Sequence, residues 1–309
     1  MKLDPISKIL LAIGFVFYLV LTICSFNIPF FWDTILTSSI AQWFYDNGIQ
    51  YGIAPIIWDA GHPTFFQIYL TLAWKVFSKS LLVSHLSMLP FLWLMVVTFV
   101  YLMQKITIST IARIIGLILL LLHPYIITQS TMISYDIVQI AFFLLAIIGI
   151  LENKKSFLII GLWGLIACSV RGQLIAILCL SAYCVIYFKS WKQFPFLILI
   201  SITPIIAWHF YHYYITGWMI STPSTTWESQ RSFANLQQVL SNIIGITRGF
   251  VDYGIFALSL AFLIVLNSFR KTNWSEIEKK LTIILLIVFI GINGSMLFFS
   301  NPIGHRYFM

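Results

Sequence analysis

Charge is the scarcest feature of this sequence. Only 9% of its 309 residues are Asp, Glu, Lys or Arg, against about 25% in a soluble domain. With 60% of the residues hydrophobic, that shortage excludes both a water-soluble globule and a disordered chain. Cysteine is sparse as well. Cys24, Cys168, Cys179 and Cys184 all sit in apolar runs without a C-x-x-C partner, which excludes a disulfide scaffold and points to small buried hydrophobes. No Asp-x-Asp pair, internal repeat, low-complexity tract or appended soluble domain occurs along the chain.

What remains is long apolar runs, with a mean hydropathy of +0.94. A bilayer core of roughly 30 Å takes about 20 apolar residues per helix. Runs near 6–26, 84–104, 110–128, 135–151, 156–170, 172–188, 194–214, 248–268 and 281–299 satisfy this. The expected fold is an all-α polytopic membrane protein with about nine transmembrane helices, a single integral domain over 1–309. The first run is too long for a cleaved signal peptide and no small-residue cleavage site follows it. The segment 64–78 is short, aromatic and ends in Lys75 and Lys79, which suits a helix lying along the interface.

Charge placement orients the chain. Lys2, Lys8, Lys105, Arg113, Lys154, Lys155, Lys189, Lys192, Arg270, Lys271, Lys279 and Lys280 fall on one side, 12 of the 18 basic residues. The positive-inside rule makes that side cytoplasmic, and the net charge of +8 then reflects loops and not a nucleic-acid surface. The opposite side holds a long loop over 27–83 with interfacial helices, a short one around 129–135, and another over 215–247.

Ionisable groups at the edge of the hydrocarbon are expensive, so each invites a functional reading. Asp33 follows the first span in Asn27-Ile-Pro-Phe-Phe-Trp-Asp33, ahead of a short amphipathic helix that stops at Asp46-Asn47-Gly48. It reads either as a helix N-cap or as a catalytic carboxylate. Asp136, opening the fourth run, is again a capping residue or a site residue. Arg171 is the only charged residue between Lys155 and Lys189. It is a snorkelling cation or a guanidinium placed to grip a phosphate bidentately. The end Asn301-Pro302-Ile-Gly-His305-Arg306-Tyr307 adds a second cation beside a histidine; the plain reading is a loop. His62 has no neighbours at ligand spacing, and His209 and His212, three apart, read as a core pair, so no metal site is expected.

In order, these pieces resemble the GT-C superfamily of membrane glycosyltransferases, with the closest likeness to the protein O-mannosyltransferase and lipid A aminoarabinose transferase branch (glycosyltransferase family 39/83-like). The segments that carry the resemblance are Trp32-Asp33-Thr34, His62-Pro63-Thr64-Phe65, Trp74-Lys-Val-Phe77-Ser-Lys-Ser80, Asp136, Arg171 and Arg306-Tyr307. Thr34 stands where the family usually has Glu. Members continue past the position of Met309 with further spans, so the resemblance implies a C-terminally truncated relative.

The resemblance implies a hexosyltransferase moving a sugar from a polyprenyl-phosphate donor to an acceptor hydroxyl of a lipid, glycan or protein, with inversion. It would be a multi-pass protein of the plasma (inner) membrane, its active site facing the extracytoplasmic side. Asp33 would be the general base and Asp136 its acceptor-positioning partner. Arg171 and Arg306 would hold the phosphate, and His62, His305 and Tyr307 would line the substrate. Phosphate is already a good leaving group, so no acid is needed to protonate it, and no cofactor is implied. A non-catalytic polyprenyl-lipid or polysaccharide transporter would use the same cations without Asp33, and an O-antigen ligase or polymerase is a further alternative.

Overall fold

Asp4 and Pro5 set the first helix. Proline is at no disadvantage in a first turn, where its missing N–H would have no partner, and Asp4 Oδ1 accepts from the Ser7 N–H at 2.7 Å. The computed structural model describes residues 2–31, 33–219, 233–251 and 274–298. They fold into α1 (Pro5–Ser25), α2 (Asp33–Asn47), α3 (Phe65–Val76), α4 (Leu81–Leu86), α5 (Leu89–Ile106), α6 (Thr110–Leu121), α7 (Pro124–Ser130), α8 (Tyr135–Leu151), α9 (Lys155–Cys168), α10 (Val170–Ile186), α11 (Phe194–Thr216), α12 (Leu236–Val251) and α13 (Glu276–Leu297). The chain divides into two compact units, residues 1–219 and 220–309.

Helices stand at eight of the nine expected runs; most of 248–268 lies outside the described residues. Their lengths separate them. Among the described residues, four stretches are long and apolar enough to cross a membrane: α1, the α4–α5 stretch Leu81–Ile106, α11 and α13. The 110–128 run is not one straight span, because α6 and α7 meet at 55°. Pro124 explains the break, since it lacks an N–H and drives the preceding residue out of the helical region. His123 accordingly has φ −64° and ψ 122°. The apolar helices α8, α9 and α10 have 17, 14 and 17 residues, or about 26, 21 and 26 Å at 1.5 Å per residue. Nine full-length spans therefore overstate what the described helices supply. At 12 residues, α3 is far too short to span, as its composition led us to expect.

The main buried core of the first unit is built from α1, α3, α5, α6 and α8, and α9 and α10 follow α8 in a compact run. Helices α8 and α9 approach backbone to backbone. Glycine makes this possible. A Cβ on Gly161 would lie 2.6 Å from the Ala146 backbone nitrogen, and one on Gly149 would strike the Leu158 backbone. The α8–α9 turn closes with Asn153 at φ 53°, a conformation that asparagine tolerates better than most residues. The Lys154 N–H reaches back to the Gly149 carbonyl at 2.8 Å.

That turn carries an ionic cluster. Glu152 pairs with Lys105 at 2.9 Å and Lys154 at 2.6 Å, and accepts from the Tyr101 hydroxyl. Burial pushes the Glu152 carboxyl up, but hydrogen bonds from Lys154, Tyr101 and Lys105 outweigh it and bring it down to about 2. A second pair joins α6 to the start of α1. Arg113, 6% exposed, donates from Nη1 to Asp4 Oδ2 at 2.6 Å and from Nε to the Thr107 carbonyl at 2.8 Å. The Ser7 N–H first, and Arg113 second, hold the Asp4 carboxyl below its ordinary value.

In the second unit a capping box opens α13, with Ser275 and Glu278 satisfying each other's backbone N–H groups. Asn242 of α12 donates to the Leu297 carbonyl at 3.1 Å.

Candidate functional site

At the end of α8 opposite Glu152, two helix starts meet. Ser134 caps α8, its Oγ accepting from the Asp136 N–H at 3.1 Å. Asp136 thus lies in the first turn, 5% exposed, where the helix dipole favours an anion. Ser169 ends α9 in extended backbone and caps α10, accepting from the Gly172 N–H at 2.9 Å. Arg171 then falls in the first turn of α10, where the dipole disfavours a cation. The compensation is direct: Arg171 Nη2 donates to Asp136 Oδ1 in a charge-assisted hydrogen bond.

Gln139, one turn into α8, ties the two caps together. Its Nε2 donates to Asp136 Oδ1 at 3.3 Å and its Oε1 accepts from Ser169 Oγ at 3.1 Å. Gly172 makes the arrangement sterically possible, because a Cβ there would collide with the Leu165 carbonyl of α9. From the long loop, His62 Nδ1 accepts from the Val170 N–H at 3.4 Å, and its ring stands edge-on to Tyr135 with centroids 6.3 Å apart. Asp136, Arg171 and His62, singled out separately in the sequence, are therefore brought to one place. The side chain of Arg171 keeps 21% of its surface exposed.

Behind His62 lies a second polar layer. His212 of α11, 1% exposed, holds Asp59 Oδ2 at 2.8 Å through Nε2 and the Trp218 carbonyl at 3.0 Å through Nδ1. The other oxygen of Asp59 accepts from the Gly61 N–H at 2.7 Å. Trp208 Nε1 donates to the Gly61 carbonyl at 3.4 Å, and His209 Nε2 lies 2.9 Å from Gln173 Oε1 on α10. The two histidines are thus not a simple core pair. They fasten the 59–62 segment and α10 to α11. Sequence reasoning missed Asp59, Gln139, Ser169 and Gln173 as members of this network. The available signal was His209 and His212 themselves, since polar side chains on an apolar helix need partners when buried.

Asp33 lies in the first turn of α2, where the helix dipole favours an anion. Thr34 performs the local turn chemistry: its Oγ1 accepts from the Phe31 N–H at 2.9 Å and donates to the Phe31 carbonyl at 2.6 Å. Thr34, 5% exposed, is thus engaged with backbone. Helix α2 is fixed to α3 through Thr71, which donates to the Ala41 carbonyl at 2.9 Å. Arg306, His305 and Tyr307 lie outside the described residues. Among the described residues no group of three or more His, Cys, Asp or Glu side chains could hold a metal ion.

Chemically, the site offers a partly exposed guanidinium oriented by a buried carboxylate, beside an imidazole and two helix N-termini. That set suits an anion better than a neutral or cationic ligand. No protein-family model matches the chain, and neither a curated protein nor a solved structure does.

Proposed function

We propose that the chain is a membrane glycosyltransferase that takes a sugar from a polyprenyl-phosphate donor and delivers it, with inversion, to an acceptor hydroxyl. The observation that carries this reading is the Asp136–Arg171 pair at the first turns of α8 and α10. A guanidinium oriented by a buried carboxylate at the first turn of a helix is the chemistry that recognises phosphate oxygens. Asp136 accordingly serves to orient Arg171, a role different from the acceptor positioning that the family resemblance implies. His62 lines the site beside it. Arg306, His305 and Tyr307 enter as further phosphate-holding and lining residues through the resemblance alone.

Asp33 is the general base. Its carboxylate takes the acceptor proton as the acceptor oxygen bonds to the anomeric carbon. The bond from that carbon to the phosphate oxygen breaks, and its electron pair leaves on the phosphate held by Arg171. The isoprenoid tail lies among the apolar helices, about nine spans in this reading, with the site at the extracytoplasmic face of the inner membrane. The decisive test is Asp33→Asn in a parent protein shown to transfer. Asparagine keeps size and polarity but takes no proton, so transfer falls by roughly 10²–10⁴-fold with donor binding retained. Transfer at the parental rate sinks the assignment.

One observation favours the second reading, a polyprenyl-lipid or polysaccharide transporter. Broken helices mark transporter sites, and α6–α7 is broken at His123–Pro124. That reading predicts donor-lipid movement across vesicles that Asp33→Asn leaves unchanged.

A further inference from the structure

A cavity of about 430 Å³ opens between α2, α3 and the start of the α4–α5 stretch. Ser38, Ser39, Gln42, Trp58, Trp74 and Lys79 supply most of its wall, and none of these residues belongs to the Asp136–Arg171–His62 cluster. The volume is that of a small-molecule site. Its chemistry is mixed in a particular way. Trp74, 4% exposed, is pinned by donating from Nε1 to Ser84 Oγ at 2.7 Å. The hydroxyl of Ser39, by contrast, spends no hydrogen bond on the protein among the described residues.

Lys79 is the informative residue. Lys105, Lys154, Arg113 and Arg171 each pair with a carboxylate. Among the described residues Lys79, like Lys75 on the same stretch, is exposed and has no such partner, and its ammonium lies over the Tyr45 ring, 5.7 Å from the centroid. It also breaks the side preference of the basic residues, so topology does not account for it. Around it the surface is apolar: Val76 and Phe77 are 71% and 77% exposed, and Phe31 and Leu82 are exposed too. Hydroxyls in the wall, with an exposed cation and exposed hydrocarbon at the mouth, match an amphiphile whose head is charged and whose tail is not.

We propose that this cavity seats the headgroup of an anionic, hydroxyl-bearing membrane lipid. Lys79 holds the phosphate as a point charge, Ser39 and Gln42 meet the hydroxyls, and the indoles of Trp58 and Trp74 cover the carbon face. The cavity shares no residue with the Asp136–Arg171–His62 cluster, although Trp74, Lys79 and Ser80 lie in one of the segments that carry the family resemblance.

The experiment uses the full chain in phosphatidylcholine nanodiscs doped with phosphatidylglycerol carrying a photoactivatable diazirine in its headgroup. After illumination, cross-links are mapped by peptide mass spectrometry. They should concentrate in 38–42 and 74–84, fall roughly tenfold with Lys79→Met, in line with loss of a charge-assisted contact, and persist with Lys79→Arg. Ser39→Leu, which fills the cavity without touching charge, should remove them as well. Arg171→Lys should leave them unchanged. Labels spread evenly around the helices, or unmoved by both Lys79→Met and Ser39→Leu, would reduce the cavity to a patch of ordinary lipid contact. Loss with Arg171→Lys would merge it with the neighbouring site. Displacement by an equal concentration of glycerol phosphate would overturn the lipid assignment.

Discussion

Arg171 and Asp136 are 35 residues apart in the chain, yet the guanidinium of one donates to the carboxylate of the other across the starts of α10 and α8. The pair settles a local conflict, a cation at a helix N-terminus, by placing the favoured anion of the neighbouring N-terminus beside it. It also makes each residue hostage to the other.

An isolated interfacial arginine could be truncated cheaply. Here Arg171→Ala leaves Asp136 buried and uncompensated, which costs about 3 kcal/mol, the lower end of the range for breaking a buried pair because Arg171 is partly exposed. Asp136→Asn should be milder, since the amide still bonds Gln139. The double variant should be more stable than Arg171→Ala alone. Thermal unfolding of the three proteins in one detergent checks this; strict additivity of the two single effects would dissolve the coupling.

The opposite end of α8 titrates. Glu152 is held down to about 2 from an ordinary 4.5, and Asp4 is also lowered. Groups whose carboxyls are lowered by folding contribute stability that is full above the unfolded value and is lost as pH falls toward the folded one. The melting temperature should therefore hold steady above about pH 5 and decline between 4.5 and 2. Glu152→Gln should flatten part of that decline. A melting temperature independent of pH over this window would contradict the cluster.

Gly161→Val tests the α8–α9 contact. The added side chain meets Ala146 backbone, which cannot rotate away, so overpacking of about 1–3 kcal/mol or more is expected. Gly294→Ala is the control, because its Cβ meets nothing within 4 Å. Equal melting temperatures for the two variants would mean that α8 and α9 are not in close backbone contact.

His212→Ala removes the partner of the buried Asp59 Oδ2 and one of the two partners of the Trp218 carbonyl, which keeps Thr216. A loss of about 1–3 kcal/mol follows from the unmade hydrogen bonds, together with faster amide exchange at Gly61. Protection of Gly61 unchanged from the parent would show that His212 does not fasten the loop.

How much of this was legible beforehand depends on distance along the chain. Helix α1 was clear because its apolar run is long and starts at Asp4-Pro5, and α2 because Gly48, at φ 88°, stops it. The break at Pro124 was legible in principle, since proline acts on the residue before it; the apolar run around it obscured the signal. The site divides the same way. Asp33, Asp136, Arg171 and His62 stood out one by one, because charge in an apolar chain is costly. Their partners did not. Nothing local in Gln139 or Ser169 says that they will meet, and Asp59 joins His212 from 153 residues away. Thr34 looked like a lost carboxylate, when its hydroxyl has the Phe31 backbone to satisfy.

The shortness of α9 bears on how the protein is made. At 14 residues, or about 21 Å, it is a poor candidate for crossing a bilayer of roughly 30 Å by itself. Closed against α8 through Gly149 and Gly161, with Asn153 turning the chain between them, it has a ready-made companion. The two helices therefore form as a pair: α8 leaves the ribosome first, and α9 gains its packing only once α8 is there to receive it.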